Sequence, residues 1–521
     1  MRLHDYFDYR AREQPEAEFA VLGDRRLTYR EAQEEVHRLA NTFVSAGLQV
    51  GDRFAILSKN SIEYALLYYA ASKAGAVPVP LNYRLAPREW AYIINDAGAK
   101  LLIAAGEYVD AIDGIRGELK SVGRFVAVKA AGARGWEDYH QWVAGQPTTA
   151  PDRRITEEDD VYQMYTSGTT GNPKGAVLTH GAVTANMVQI LTGLEGVVGE
   201  RYLIVVPLYH AAAALTTFCC VSWGGCLYIH EEFNPVEVVR TLSEERIGTA
   251  MLVPSMIQAC LVFAPDVAQR RYDDLRLIIY GASPIAEQTL RRALEVFKCD
   301  FAQAYGMTET TAVLTFLLAK DHGWALSEKP ELLLSAGRPV LATELRIVDE
   351  SDNPVASGTI GEIIARGPQL MRGYWNLADE SAEALKGGWM HTGDAGTMDD
   401  DGYIYIQDRV KDMIVSGGEN VYPRVIEDVL YQHPAIADAA VIGVPDEQWG
   451  ETVKAIVVLR EGAAPTEEEI IDFCRGKLGG FERPRSVDFV KELPRNPSGK
   501  VLKRQLREPF WVGQKRRVSG V

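Results

Sequence analysis

The chain has 521 residues, of which 47% are hydrophobic and 24% charged, and it carries a formal charge of −16. That length exceeds one ordinary core, so at least two domains are expected, and the composition excludes a disordered or fibrous chain. The acidic balance excludes the broad basic face that nucleic acid requires; no nucleic-acid partner is expected, and an anionic ligand must find local cations.

The N-terminal run MRLHDYFDYRAREQPE is charged throughout and lacks the apolar stretch of a secretory signal. From Arg53 the chain reads RFAILSKN, NSIEYALLYYAASKAG and AVPVPLN, a strand, a helix and a strand. Asn60 is the expected cap of that helix, with Glu63 at capping-box spacing, and Gly75 the expected left-handed stop. A parallel βαβ unit follows from this order. The same alternation returns between about residues 160 and 310, with RYLIVVP, GCLYIH, TAMLVP, LRLIIYGAS and DFAQAYG as strands. Within it, residues 211–229 carry no charge, but Trp223-Gly224-Gly225 interrupts them. A buried helix, turn and strand is therefore expected there, and no integral membrane segment. Six cysteines, at 219, 220, 226, 260, 299 and 474, show neither a Cys-x-x-Cys pair nor the spacing of a disulfide framework. They predict buried thiols in a reducing compartment, hence a cytoplasmic protein.

From about 335 to 408 the pattern changes to short alternating strands with glycine turns, GRPV, ELRIVD, GEIIARG and GYIYIQD. These suit a small antiparallel barrel or sheet. After Asp408-Arg409 come two amphipathic helices, VIEDVLYQHP and TEEEIIDFCRGKL, and the strands ADAAVIGV and KAIVVLR. The final GQKRRVSGV lacks apolar periodicity and reads as a solvated tail. The expected fold class is α/β: a large N-terminal domain of two helix-covered parallel sheets plus a small β-barrel, residues 1–409, and a small α+β C-terminal domain, residues 410–521.

The most informative run is Tyr165-Thr166-Ser167-Gly168-Thr169-Thr170-Gly171-Asn172-Pro173-Lys174-Gly175. Clustered glycines and hydroxyls can wrap a polyphosphate with backbone and side-chain donors, and Lys174 adds a cation. It is not a Walker loop, because proline precedes the lysine and glycine follows it. Gln303-Ala304-Tyr305-Gly306-Met307-Thr308-Glu309-Thr310 closes a predicted strand, where open parallel sheets bind ligands. Trp389-Met390-His391-Thr392-Gly393-Asp394, Asp408-Arg409-Val410-Lys411-Asp412 and Leu493-Pro494-Arg495-Asn496-Pro497-Ser498-Gly499-Lys500 complete the series.

Together these motifs resemble the adenylate-forming superfamily of acyl-CoA synthetases, firefly-type luciferases and peptide-synthetase adenylation domains, and the acyl-CoA synthetases most of all. The resemblance spans nearly the whole chain. It implies an acid:CoA ligase that uses ATP, Mg²⁺ and coenzyme A as cosubstrate, with a small-molecule carboxylic acid as partner and a mobile C-terminal domain. Tyr305 would stack on adenine, with Gly281, Ala282 and Ser283 as the other wall and Gly306 beside it. Asp394 and Arg409 would hold the ribose, and Glu309 the metal. Thr166, Ser167, Gly168, Thr169, Thr170 and Lys174 would grip the pyrophosphate, and Thr308 the α-phosphate. Lys500 would bridge carboxylate and phosphate oxygens in the first half-reaction. For the second, the small domain would pivot at Lys411, Gly417, Gly418 and Glu419 would line the pantetheine tunnel, and His210 would gate it. Trp449, Phe481 and Arg483 would flank coenzyme A. Glu482 departs from the basic residue that relatives often carry there, and Asp408 from the commoner glycine.

In relatives restricted to acetate a tryptophan occupies the position of Gly306, so glycine here implies a larger acid, a medium- or long-chain fatty acid before an aromatic or alicyclic one. Half of the run Ala211 to Ala214 would face the same space. A stand-alone enzyme that loads a carrier protein, an oxidative luciferase, and a silent acyl-adenylate sensor stay open as alternatives. So does a homodimer.

Overall fold

The computed structural model describes residues 1–129, 132–166, 172–283, 285–409, 412–416, 419–446, 448–495 and 501–512, without the side chains at 408, 409, 419 and 420. Its first sheet has five parallel strands in the order Val77–Pro80, Arg53–Leu57, Leu101–Ala105, Arg124–Val128 and Glu137–Asp138. Its second has nine strands. Six central ones, Asp300–Tyr305, Leu277–Gly281, Ile247–Leu252, Arg201–Ile204, Cys226–Ile229 and Glu18–Leu22, run parallel, with antiparallel strands at both edges. The five strands expected in this region are all present. The N-terminal strand Glu18–Leu22 was not expected; it pairs with Cys226–Ile229, a partner too distant in sequence for local pattern to reveal.

Helix Ile62–Ala74 lies between the sheets with every residue buried, as a helix that is apolar on all sides must. Its cap is Ser61, whose Oγ accepts the Tyr64 amide at 3.1 Å, and not Asn60. Asn60 spans the two sheets instead. Its Nδ2 donates to the carbonyls of Val206 at 3.1 Å and His230 at 3.2 Å, and its Oδ1 accepts the Leu208 amide at 2.8 Å. Glu63 makes no capping box and pairs with Arg25. Gly75 ends the helix at φ 75°, as expected, and a side chain there would meet Ile155 at 2.7 Å.

Two smaller sheets complete the N-terminal part. Strands Asp160–Thr166, Lys174–Thr179 and Gly373–Tyr374 form one. The other is antiparallel, in the order Glu344–Val348, Gly361–Arg366, Met390–Met398 and Ile404–Arg409. The run GRPV, assigned above to this unit, is an edge of the nine-stranded sheet, where Arg338 pairs with Phe316. Past the strand ending at Arg409, a smaller C-terminal domain pairs Ile414–Ser416, Glu419–Val421, Ile436–Asp446, Gly450–Leu459 and Ser486–Phe489. Helices Pro423–Leu430 and Glu467–Phe473 bury Ile426, Leu430 and Ile470 in a core of its own. No helix among the described residues is long and apolar enough to cross a membrane. Residues 211–229 form the helix Ala211–Ser222 and the strand Cys226–Ile229, as expected.

Three interior histidines make the fold acid-sensitive. Burial first, then the Lys73 cation, lowers His4 to about 4. Burial, then His4, lowers His180 to about 3, and burial, then Arg84, lowers His210 to about 4. An unfolded imidazole ionises near about 6.5, so between that value and 4 the unfolded chain binds more protons than the folded one. Stability present above about pH 6.5 is therefore lost as pH falls toward 4, by about 2 kcal/mol per histidine at about pH 5. Urea unfolding at pH 7 and pH 5 is expected to show a loss of several kcal/mol; equal stabilities would contradict these burials.

Candidate active site

Strands Asp160–Thr166 and Lys174–Thr179 pair antiparallel, with Thr166 opposite Lys174, so the phosphate-type run joins the tips of a hairpin. Ser167, Gly168, Thr169 and Thr170 lie outside the described residues. The hairpin's base is held firmly. Gly175 accepts the Trp375 amide at 2.7 Å, and a side chain at 175 would meet Gln163 at 2.7 Å and the Tyr165 ring at 2.9 Å. Tyr165 donates its hydroxyl to Asp96 at 2.5 Å. Arg53 stacks on Trp375 at 3.6 Å and pairs with Asp160 at 2.7 Å.

Glu309 stands on the tight turn Thr308–Thr310 that follows strand Asp300–Tyr305. Thr310 Oγ1 accepts the Met307 amide at 3.1 Å, while Thr311 is driven to φ 64° and anchored through its hydroxyl to the Gln369 carbonyl at 2.8 Å. A threonine at positive φ is strained, and such strain concentrates where a backbone is held for function. The Glu309 carboxylate is buried, and its Oε1 accepts both the Tyr374 hydroxyl at 2.9 Å and the Thr166 hydroxyl at 3.3 Å. The Lys174 ammonium lies 5.2 Å from the Tyr374 ring centre. Thr166, Lys174 and Glu309, expected to act together, are thus brought together. Tyr374 was missed. Its one signal is the aromatic pair after Gly373, and only the long-range pairing of Gly373–Tyr374 with strand Lys174–Thr179 gives that pair meaning.

Tyr305 donates its hydroxyl to Asp394 Oδ2 at 2.8 Å. Asp394 is more than a turn residue. Gly393, at φ 68°, donates its amide to Glu362 at 2.9 Å, and Thr392 Oγ1 accepts the Asp394 amide at 3.1 Å, so the bend presents a buried carboxylate to the tyrosine. Asp394 is also the backbone partner of Arg409, whose side chain lies outside the described residues. At Gly281 a side chain would run into the Ala304 carbonyl, and Ala282 sits at φ 66°. Close approach of backbone to a flat ligand is what such a strand end permits. Ser283 follows, partly buried, and is not among the residues lining the cavity below.

A cavity of about 160 Å³ opens beside Gly281, Ala282, Gly306 and Thr308 and runs along helix Ala211–Ser222. Ala211 and Ala212 line it, while Ala213 and Ala214 are buried elsewhere in the core. Among the described residues His210 is the only lining residue that could carry a positive charge, and no carboxylate among them lines the space. Asn60 and the Tyr68 hydroxyl, which donates to the Leu208 carbonyl at 2.8 Å, fix the segment that bears His210. Burial, then Arg84, keeps its imidazole neutral, against the Tyr209 ring at 4.4 Å; Nε2 has no partner among the described residues. Gly306 lines the cavity too, but a Cβ there would run into the Ala312 carbonyl and stand 3.0 Å from the Leu314 nitrogen. A tryptophan at 306 would therefore have to displace backbone in order to fill the cavity.

Lys500, Lys411, Gly417 and Gly418 lie outside the described residues, as does the side chain of Glu419. Trp449 and Phe481 are 41% and 44% exposed, free for a ligand to cover. Arg483 is partly buried, and its Nε has no partner among the described residues. Glu482, noted above as a departure from the basic residue of relatives, accepts the Gly479 amide at 2.8 Å and so closes its own turn.

A phosphate-type hairpin, a buried carboxylate bonded at its tip, and a tyrosine–aspartate pair at the carboxyl end of a parallel sheet define an adenylate-forming enzyme. The AMP-binding enzyme family matches residues 7–375 and the AMP-binding enzyme C-terminal domain residues 425–500, and the chain belongs to that family. It is 38% identical over 502 residues to a feruloyl-CoA synthase of an Amycolatopsis species, covering 96% of this chain and 97% of that one. It is 34% identical over 490 residues to the long-chain-fatty-acid–CoA ligase FadD13 of Mycobacterium tuberculosis, covering 94% of each. Among solved structures, a fatty acyl CoA synthetase of Mycobacterium tuberculosis superposes with a TM-score of 0.78 at 31% identity, over 99% of each chain. The chain is an AMP-forming acyl-CoA synthetase.

Proposed function

We propose that the chain joins a medium- or long-chain fatty acid to coenzyme A through an acyl-adenylate, with release of pyrophosphate and then AMP. The observation that carries this reading is the apolar cavity lined by Ala211, Leu215 and Cys219 along one face of helix Ala211–Ser222. ATP would lie at the sheet ends. Tyr305 would cover one face of adenine and Gly281, Ala282 and Ser283 the other. Asp394, already oriented by the Tyr305 hydroxyl, would accept the ribose hydroxyls beside Arg409. Thr166, Ser167, Gly168, Thr169, Thr170 and Lys174 would take the leaving pyrophosphate, and Thr308 the α-phosphate.

Glu309 fits a magnesium ion. Among the described residues both hydroxyl donors bond its Oε1 and none its Oε2. Among the described residues no cluster of three metal-ligating side chains exists, so an ion would draw its other oxygens from phosphate and water, as Mg²⁺ prefers. When bound it supplies charge neutralisation at the phosphates.

The carboxylate is ionised at neutral pH and needs no protein base to attack the α-phosphorus. Lys500 would bridge the carboxylate and phosphate oxygens as charge develops. The C-terminal domain, divided from residues 1–409 at position 410, would then turn about Lys411. Gly417, Gly418 and Glu419 would line the thiol's path, with Trp449, Phe481 and Arg483 against coenzyme A. His210, neutral by burial, would move aside, and the thiol would attack the acyl carbonyl and expel AMP. The buried thiols favour a cytoplasmic setting.

The feruloyl-CoA synthase relative supports a second reading, an aromatic acid. A panel of acids assayed for coenzyme A-dependent AMP release separates the two. The efficiency is expected to climb from butyrate by up to about fourfold per methylene, or about 0.8 kcal/mol, and to exceed that for cinnamic and indolic acids. A ferulate-like acid outrunning every alkanoate would overturn the fatty-acid reading.

A further inference from the structure

We infer that Trp223 is the floor of the acyl pocket and sets the length of acid the enzyme accepts; this rests on the fatty-acid reading above. Ala211, Leu215, Cys219 and Trp223 line the cavity at a spacing of four residues, which places them in one file down a single helix face. His210 stands at the top of this file, and the indole closes the bottom. From Ala211 to Trp223 a helix rises about 18 Å, at about 1.5 Å per residue. An extended alkyl chain advances roughly 1.3 Å per carbon, from C–C bonds of about 1.5 Å at the tetrahedral angle. The distance from Ala211 to the indole therefore matches the length of about fourteen extended carbons.

Beyond the indole the protein is thin. Trp223 packs against Tyr202, with ring centres 6.1 Å apart and planes at 29°. Gly196 lies directly over the indole, so close that any side chain at 196 would run through the ring. The residues after it, Val197 and Val198, are 48% and 64% exposed. One aromatic ring thus separates the end of the cavity from a single layer of surface chain. Glycine at 196 is what admits a ring of that size. A smaller residue at 223 would extend the pocket toward that surface layer without altering His210, Gly306 or the adenylate-forming residues.

The test is the ratio of kcat/KM for octadecanoate to that for hexanoate, measured by pyrophosphate release from the full chain. Trp223→Ala is expected to raise that ratio at least tenfold and to shift the optimum by four carbons or more. Trp223→Phe, which keeps a ring between Gly196 and Tyr202, is expected to shift it by about two carbons and covers the case in which the alanine variant does not fold. An unchanged ratio in either folded variant of an alkanoate-active enzyme overturns the role of Trp223 alone. A wild-type enzyme that takes aromatic acids and no alkanoate overturns the fatty-acid reading itself, and this inference with it.

Discussion

Replacing Lys500 by alanine is expected to slow acyl-adenylate formation about a thousandfold while leaving conversion of a supplied acyl-adenylate to thioester within a few-fold of wild type. Attack of a carboxylate on the α-phosphorus brings two anions together, and neither needs a proton moved. What the protein contributes is position and positive charge, and loss of one such donor costs about 2.7–4 kcal/mol. In the second half-reaction the C-terminal domain would already have turned and carried Lys500 away from the phosphate, so its ammonium would take no part when the thiol displaces AMP. Pyrophosphate release reports the first step, and thioester formation from synthetic acyl-adenylate the second. Equal losses in both would contradict the assignment of Lys500 to one conformation of a two-conformation cycle.

Glu309→Gln is expected to lower adenylation about a hundredfold, about 2.7 kcal/mol, and to raise the magnesium concentration needed for half-maximal rate. The argument starts from two hydroxyls, of Thr166 and Tyr374, that both donate to Oε1 of a buried carboxylate. Glutamine keeps a carbonyl oxygen for those donors, so the turn at 308–310 and the melting temperature should hold. Its amide nitrogen is a donor where the metal needs an acceptor. A variant with wild-type rate and wild-type magnesium dependence would remove Glu309 from the metal and leave it as a structural tie between the phosphate hairpin and the strand end.

The sheets were legible in the sequence, as was the meeting of Thr166 with Glu309, and the exceptions share a cause. Strands such as TAMLVP and LRLIIYGAS are continuous apolar runs, which only a sheet buried on both faces explains. The division of the alanine run, two residues toward the cavity and two toward the core, follows from helical geometry alone. Local pattern failed where a side chain had a distant partner. Asn60 looks like a helix cap, yet it ties together two sheets, a role that exists only after Val206, Leu208 and His230 arrive. GRPV has the composition of the strands that follow it, but its register belongs to Phe316. Tyr374 was not singled out and Trp223 marked only a turn, because the contacts of the one with Glu309 and of the other with Gly196 join distant parts of the chain. Gly306 does line the cavity, but the Ala312 carbonyl that crowds any side chain there comes from a turn whose approach local pattern does not show.

The claim on which every role above depends is that the acid's own oxygen attacks the α-phosphorus. It is tested most directly by supplying a saturated fatty acid labelled with oxygen-18 in both carboxylate positions, together with ATP, Mg²⁺ and coenzyme A, and weighing the products. An acyl-adenylate route places one labelled oxygen in AMP and none in pyrophosphate, with one AMP formed per thioester. Label in inorganic phosphate with ADP as coproduct, or thioester formation with unlabelled AMP, would contradict the account.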